Sequence, residues 1–562
     1  MIFMWYSYAL YFIATYKLRT ILANPLRVQI DCGVVEGRQL KDSLYAWSGI
    51  PFAKPPVGDL RFEAPQPPDN WEGVLDARWE RSKCMQTEQY FLPESQSIGD
   101  EDCLYINVYT SQPPSSNATL LPVMVWIYGG GFAVGDGNYA TYGPDQLVSV
   151  GDGNYATYGP DQLVSENVIV VTFNYRLGIF GFAFTADNVA PGNLGLKDQI
   201  FALQWVQRNI ETFGGDKNLV TVFGQSAGAV SVSYLVVSPL GKDLFHHAIM
   251  QSGNSICVWG LSKIARKATF KAGQLLGIFT INSRYLIDQL KTVPAAKLQS
   301  AAVSVTNAFL FLDPINSLVF APVIEPADTT DAVITTSTYE CLRLGYFNRV
   351  PLLMGHNSFE AVSMEYIIKQ WCFYLLQSDI FPSLLVPDSM NANAIGKLLA
   401  GPQIKFHYAD ILGSIIFPDE NFLRYLNDNE FVRPVQKMAR FTCRYTPTYF
   451  YKFSYTHDPT ALGAGHAEEL FYLFNSPFNN PNDMIISNRL VKLWTNFAKT
   501  GNPTPLDDPI LDSCTWPKVM PAALNYIDID NDLTIKQNPN AQDMDFWDNL
   551  FSAYANPPLF TY

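Results

Sequence analysis

Apolar residues along this chain fall into short, almost continuous runs, separated by longer segments in which they recur every three or four positions. The runs VMVWIY (123–128), VIVVTF (168–173), LVTVF (219–223), HAIMQS (247–252) and VPLLMG (350–355) predict buried strands. They do not alternate with polar residues, which suits a parallel sheet covered on both faces. After Asn193 the period changes: Leu196, Ile200, Leu203, Val206 and Ile210 keep helical spacing until Gly214-Gly215, a stop signal. Strand and helix in alternation predict an α/β fold.

Two segments stand outside this pattern. VGDGNYATYGPDQLVS occupies 134–149 and recurs unchanged at 150–165. Two copies of a polar, Gly-rich stretch are too few for a solenoid. They read as a local duplication or an error of gene assembly, or, more sharply, as a lengthened flap near a functional site. A surface loop tolerates such an insertion at modest entropic cost. The second segment is the apolar N-terminus, residues 1–27. Its cations, Lys17 and Arg19, follow the apolar run instead of preceding it. It reads as a signal or signal-anchor, a mis-assigned start, or a buried segment.

Composition narrows the function classes. The 562 residues are 48% hydrophobic and carry a formal charge of −14. Such a chain is globular and repels phosphate backbones, so nucleic acid is not an expected partner. No later stretch is long and apolar enough for an integral membrane span. The eight cysteines include no CxxC pair, and no metal cluster or phosphate-binding loop stands out, so no cofactor is expected.

The strongest chemical signal is Gly224-Gln225-Ser226-Ala227-Gly228, which follows an apolar strand and precedes the apolar segment AVSVSYLVV. G-x-S-x-G between a strand and a following element is the context of a nucleophile elbow, where a sharp turn exposes the serine Oγ. The chain here resembles the type-B carboxylesterase and cholinesterase family. The likeness runs from about Val28 to Phe551 through GIPFAKPPVGDLRF (49–62), EDCLYINVY (101–109), VWIYGGGF (125–132), FNYRLG (173–178), GNLGLKDQ (192–199), FGQSAGA (223–229), GHNSFE (355–360), GAGHAEELFYLF (463–474) and WTNFAKTGNPTP (494–505). It implies an α/β-hydrolase fold, with a large mostly parallel central sheet flanked by helices. It also implies a serine carboxylesterase acting on a small-molecule ester through an acyl-enzyme. Because the blocks span the chain, residues 28–555 are expected to form one carboxylesterase domain.

The resemblance also assigns roles. Backbone N–H groups of Gly130, Gly131 and Ala227 would form the oxyanion hole, which stabilises the charge that develops on the substrate carbonyl. His466, in GAGHAEEL, would be the general base, and histidine has the suitable pKa. His246 and His247 precede a strand and are expected to serve the scaffold. The acid should lie between serine and histidine in the chain. Glu360, in GHNSFE, matches the family's acid, and Glu365 is its nearest rival. Cys84 and Cys103 would form a disulfide, contributing about 3 kcal/mol in the chain-entropy model. Cys257 lacks the family's usual partner and is expected to be free. Arg61 and Glu101 match a buried ion pair.

Departures from the family bear on substrate. Many relatives carry glutamate where this chain has Gln225, and the loop between Cys84 and Cys103 has Tyr90 and Phe91 but no tryptophan to hold a quaternary ammonium by cation–π attraction. Both favour neutral, lipophilic esters. Gln225 before the serine, with GHAEEL (465–470) and NFAKTGNPTP (496–505), is similar to insect esterases of the juvenile-hormone, antennal and detoxifying types. The alternatives are a lipase or amidase with the same residues, a non-catalytic binding or adhesion protein, and a slow-turnover ester-sequestering protein. The sequon Asn117-Ala118-Thr119 points to a secreted glycoprotein and an extracellular or secretory location, with a cytoplasmic one as the alternative.

Overall fold

The computed structural model describes residues 26–88, 96–115, 119–139, 159–316, 318–364, 372–409, 419–458, 460–474, 478 and 480–562. Nearly all of the N-terminal apolar segment, the sequon asparagine, Tyr90, Phe91, the rival acid Glu365 and the middle of the tandem repeat lie outside these residues.

Among the described residues eleven strands form the principal sheet: β1 Arg38–Lys41, β2 Leu44–Pro51, β3 Tyr105–Thr110, β4 Leu121–Ile127, β5 Ile169–Phe173, β6 Gly215–Gln225, β7 His247–Gln251, β8 Leu352–Asn357, β9 Thr448–Phe453, β10 Asn525–Ile529 and β11 Leu533–Gln537. Their spatial order is β11-β10-β9-β8-β7-β6-β4-β5-β3-β2-β1. The stretch from β5 to β10 is parallel, and the outer strands at both ends are antiparallel. All five predicted strands lie in the parallel part. All their residues but Leu219, Val350 and Pro351 are buried, so both faces of the sheet are covered, which is why they read as unbroken apolar runs.

The strand ends differ from the apolar runs by up to four residues, and two of the shifted starts have a visible cause. β6 begins four residues before LVTVF, because a bulge between Gly215 and Val220 carries it back along β4. β8 starts at Leu352 and not Val350, since Pro351 has no N–H to give a strand neighbour. The helix after Asn193 is α1, Leu194–Asn209. A short 3-10 turn follows it and ends at Gly214 with φ 87°, so the predicted glycine stop is a left-handed cap. The apolar segment after Ser226 is α2, Ala227–Val237, in which every residue is buried.

Buried ion pairs tie the connections to the sheet. Arg61 donates to Glu101 at 2.6 Å through Nε and to the carbonyls of Leu290 and Val293. Arg176, just after β5, grips Asp198 of α1 through Nε and Nη2 at 2.8 and 2.7 Å. Each pair brings its own hydrogen bonds, and removing one partner would strand a buried charge. Cys84 and Cys103 are disulfide-bonded with Cα atoms 4.9 Å apart, and Cys257 is a free, buried thiol.

One row of backbone pairs locates the functional end of the sheet. Gln225 of β6 is in register with Gln251 of β7, Gln251 with Gly355 of β8, and Gly355 with Tyr451 of β9. On the other side, Gly224 pairs with Ile127 of β4. The loops leaving the carboxyl ends of these strands carry the residues singled out in the sequence.

Candidate active site

Ser226 is the hinge between β6 and α2. Its backbone sits at φ 57°, ψ −125°, a conformation that costs a non-glycine residue on the order of 1–3 kcal/mol. The surroundings enforce it. Its N–H donates to the Gln251 carbonyl at 2.8 Å, and its own carbonyl accepts from Val230 N–H at 2.9 Å. The turn leaves no room at Gly228, where a Cβ would lie 2.0 Å from the Ile127 carbonyl oxygen. The G-x-S-x-G spacing is therefore a steric requirement of a helix that starts against the neighbouring strand.

The Gly-rich loop Gly129-Gly130-Gly131 leaves β4 and passes directly over this turn. A Cβ on Gly129 would stand 3.0 Å from the Ser226 Cβ. Gly130 adopts φ 98°, and a Cβ there would meet the Val134 carbonyl at 2.2 Å. Val134 and Ala133 donate to the Gly130 carbonyl, which fixes the loop. Among the described residues, the N–H groups of Gly130, Gly131 and Ala227 have no internal acceptor. Ala227 is also the first residue of α2, where the helix dipole favours negative charge.

Glu360 and His466 come together from the loops after β8 and β9. His466 Nδ1 lies 2.7 Å from Glu360 Oε2, and the other carboxylate oxygen accepts from Asn357 N–H at 2.7 Å. The backbone N–H of His466 donates to the Glu360 backbone carbonyl at 3.2 Å. Glu360 is wholly buried and His466 is 8% exposed, so the pair is shielded from competing water. A carboxylate on Nδ1 fixes the tautomer and leaves Nε2 as an acceptor. Nε2 faces the side-chain amide of Gln225, at 3.2 Å. Among the described residues Ser226 Oγ makes no hydrogen bond, and contacts of this kind commonly tighten only around a substrate.

The remaining histidines belong to the framework. His247 heads β7 against Phe497, and burial lowers its pKa to about 4. His246 accepts from Val220 N–H. His356 is fully buried in β8, with its pKa likewise lowered to about 4 by desolvation.

Three neighbours were not anticipated. Glu469, wholly buried, accepts from Asn357 Nδ2 at 2.7 Å and Gln251 Nε2 at 3.0 Å. Desolvation and then the charge of Glu360 raise its pKa to about 7. The second glutamate of GHAEEL was its only signal. Phe431 lies in a π-helical turn, Asn427–Val432, and its ring centroid is 4.7 Å from that of His466. Trp259 packs on Phe431 at 5.7 Å and donates to the Glu430 carbonyl. A Cβ on Gly253 would be 2.7 Å from the Ser226 carbonyl oxygen and 3.0 Å from the Trp259 ring. An aromatic wall thus flanks the serine turn and the histidine, brought there from residues with no local motif. Among the described residues no group of three or more His, Cys, Asp or Glu could hold a metal ion.

Known proteins share both sequence and architecture with this chain. The description of the Carboxylesterase family matches residues 24–547. Juvenile hormone esterase of Tribolium castaneum is 33% identical over 506 residues, covering 84% of this chain and 82% of its own. Venom carboxylesterase-6 of Apis mellifera is 32% identical, covering 97% and 98%. The crystal structure of juvenile hormone esterase from Manduca sexta, with OTFP covalently attached, superposes with a TM-score of 0.79 at 27% identity, covering 94% of this chain and 99% of that one. With an α/β-hydrolase sheet, a serine at the elbow and full-length relatives of one kind, the chain belongs to the carboxylesterase family and is a serine carboxylesterase.

Proposed function

We propose that Ser226, His466 and Glu360 carry out ester hydrolysis by two acyl transfers, with Gly130, Gly131 and Ala227 as oxyanion donors. The observation that carries this reading is the 2.7 Å contact between buried Glu360 and His466 Nδ1. It leaves a basic Nε2 on the side of the sheet where Ser226 sits. His466 Nε2 takes the Ser226 proton as Oγ bonds to the ester carbonyl carbon. The carbonyl oxygen becomes an oxyanion, for which the three N–H groups are the free donors. Collapse breaks the bond to the alcohol, which leaves with the proton held on His466. Water then gives a proton to the same nitrogen and attacks the acyl carbon. The acid departs, and Ser226 recovers its proton.

The substrates are neutral, lipophilic esters. Gln225 places an uncharged amide beside the serine, and Phe431 and Trp259 give an apolar wall next to His466. The names of the two juvenile hormone esterases among the insect relatives make juvenile hormone esters the first substrates to assay. Residues 28–555 act as one domain, since a single sheet takes strands from Arg38–Lys41 to Leu533–Gln537. The Cys84–Cys103 disulfide favours the secretory pathway.

The test is labelling with a fluorophosphonate and mapping of the adduct, alongside turnover of neutral nitrophenyl esters and of choline esters, with Ser226→Ala as control. The expected result is an adduct on Ser226, turnover lost in the variant, and a preference for neutral over cationic esters of equal size. A rapid burst with negligible steady-state turnover would instead support an ester-sequestering protein. No adduct and no turnover would overturn the catalytic assignment.

A further inference from the structure

The described surface contains a groove that the chemistry at Ser226 does not use. It lies between α3, Ala265–Leu275, and α4, Ala295–Leu312, with a volume of about 740 Å³, within the roughly 300–1,000 Å³ typical of small-molecule pockets. Phe270, Val305 and Phe309 supply apolar lining, and Ile281, also lining it, is 93% exposed. Three exposed cations, Arg266, Lys267 and Lys271, line the same space. The Arg266 guanidinium lies 4.8 Å from the Phe270 ring centroid, and Lys267 Nζ 5.2 Å from that of Phe309.

These charges break the local rules for a helix. Arg266 and Lys267 occupy the first turn of α3, the end where the helix dipole disfavours cations. Lys267 and Lys271 are four residues apart, so like charges face each other on one side of the helix. Among the described residues, neither lysine has an ion-pair partner. The chain as a whole is strongly acidic, yet residues 263–297 hold seven cations and one acid, Asp288. Arg266 is answered inside the fold, its Nε donating to the Thr185 carbonyl at 3.1 Å, but Lys267 and Lys271 are not; local rules broken without internal compensation mark functional positions, and what the two lysines lack is an anion beside an apolar channel.

We propose that this groove binds one long-chain carboxylate, with the head group held by Lys267 and Lys271 and the chain laid along Phe270, Val305 and Phe309. The concave shape and a volume suited to a single ligand favour one amphiphile over a flat lipid surface. The same class of compound is released when a lipophilic ester of a long-chain acid is hydrolysed, but the groove is made of residues separate from Ser226, and its occupancy does not depend on that reaction.

The test titrates the full chain with sodium dodecanoate below its micellar concentration by calorimetry. The wild type is compared with Lys267→Glu/Lys271→Glu and with Ala308→Trp, which fills the groove from an exposed position. Dodecyltrimethylammonium and phosphatidylglycerol vesicles are run in parallel. The expected result is one dodecanoate per chain, with affinity weaker by about tenfold or more in both variants. Nitrophenyl acetate turnover and the unfolding midpoint should be unchanged, and dodecyltrimethylammonium should bind more weakly than dodecanoate. Absence of dodecanoate binding, affinity unchanged in either variant, or equal binding of the cationic detergent would overturn the proposal. Lysine-dependent recruitment to anionic vesicles without dodecanoate binding would also overturn it, in favour of a membrane-facing surface.

Discussion

The side-chain amide of Gln225 lies 3.2 Å from Nε2 of His466, so the residue beside the serine touches the nitrogen proposed to take its proton. An amide N–H donated to a neutral imidazole favours the unprotonated base. Gln225→Glu replaces that donor with a buried carboxylate, which favours imidazolium. The acid limb of the pH profile of kcat/KM should move up by about one unit or more. The check is neutral ester hydrolysis between pH 5 and 9. An unmoved acid limb would show that the amide does not tune the base.

Glu360→Gln keeps the shape of the acid but takes the charge from the Nδ1 side of His466. The imidazolium formed during acyl transfer then loses its partner, and the wrong tautomer becomes accessible. Turnover should fall by about 10³–10⁴-fold with the fold intact. Measured kcat on a nitrophenyl ester, with near-UV circular dichroism as the control for packing, decides this.

Glu469 should make stability depend on pH. Its pKa is raised in the folded protein to about 7 from an ordinary 4.5. The stabilisation from its folded-state protonation is therefore complete below pH 4.5 and is lost as pH rises through 7. Glu469→Gln lacks this loss. The stability of the wild type minus that of the variant should fall between pH 4.5 and pH 7–8 by on the order of 2–3 kcal/mol. Urea unfolding of both proteins at pH 5 and pH 8 is the measurement, and a difference independent of pH would contradict it.

The tandem repeat offers a deletion test. Tyr139 belongs to the first copy and Asp161 to the second, yet the tyrosine hydroxyl is 3.0 Å from the Asp161 carboxylate. A Cβ on Gly159 would lie 2.5 Å from the Tyr139 ring. The opening of one copy and the close of the other thus meet, as the two ends of a single unit would. Removing residues 140–155 leaves Ala156-Thr157-Tyr158 to join them, and removing 150–165 yields the same sequence. The shortened protein should fold, keep its turnover and gain or lose no more than about 1 kcal/mol. Loss of activity on deletion would mean that the second copy contributes to the site.

How much of this was visible in the sequence follows from how local each feature is. The strands leading to Ser226 and Glu360 announced themselves because a doubly covered strand must be apolar throughout. The elbow was legible because its glycines are forced by contacts within a few residues and one neighbouring strand. His466 and Glu360 needed the resemblance, since their 2.7 Å contact joins positions 106 residues apart and neither has a compulsory local spacing. Phe431 and Trp259 were not found at all. An aromatic residue in a π-helical turn looks like any core aromatic until the turn is seen to pack on the histidine. The bulge at the start of β6 was hidden for a similar reason, because it answers to β4 and not to its own sequence.

The row Gln225, Gln251, Gly355, Tyr451 runs across four strands, and its continuations hold Ser226, Glu360 and His466. This has a consequence in time. A one-residue slip in any of these strand pairs would displace its share of the site by about 3.3 Å and turn the side chains to the opposite face. The contacts that matter close over long stretches of chain, 241 residues in the case of Gln225 and His466, and such contacts form late. During synthesis or refolding the molecule should therefore stay chemically silent until the sheet has grown through β9, with esterase activity among the last properties to emerge.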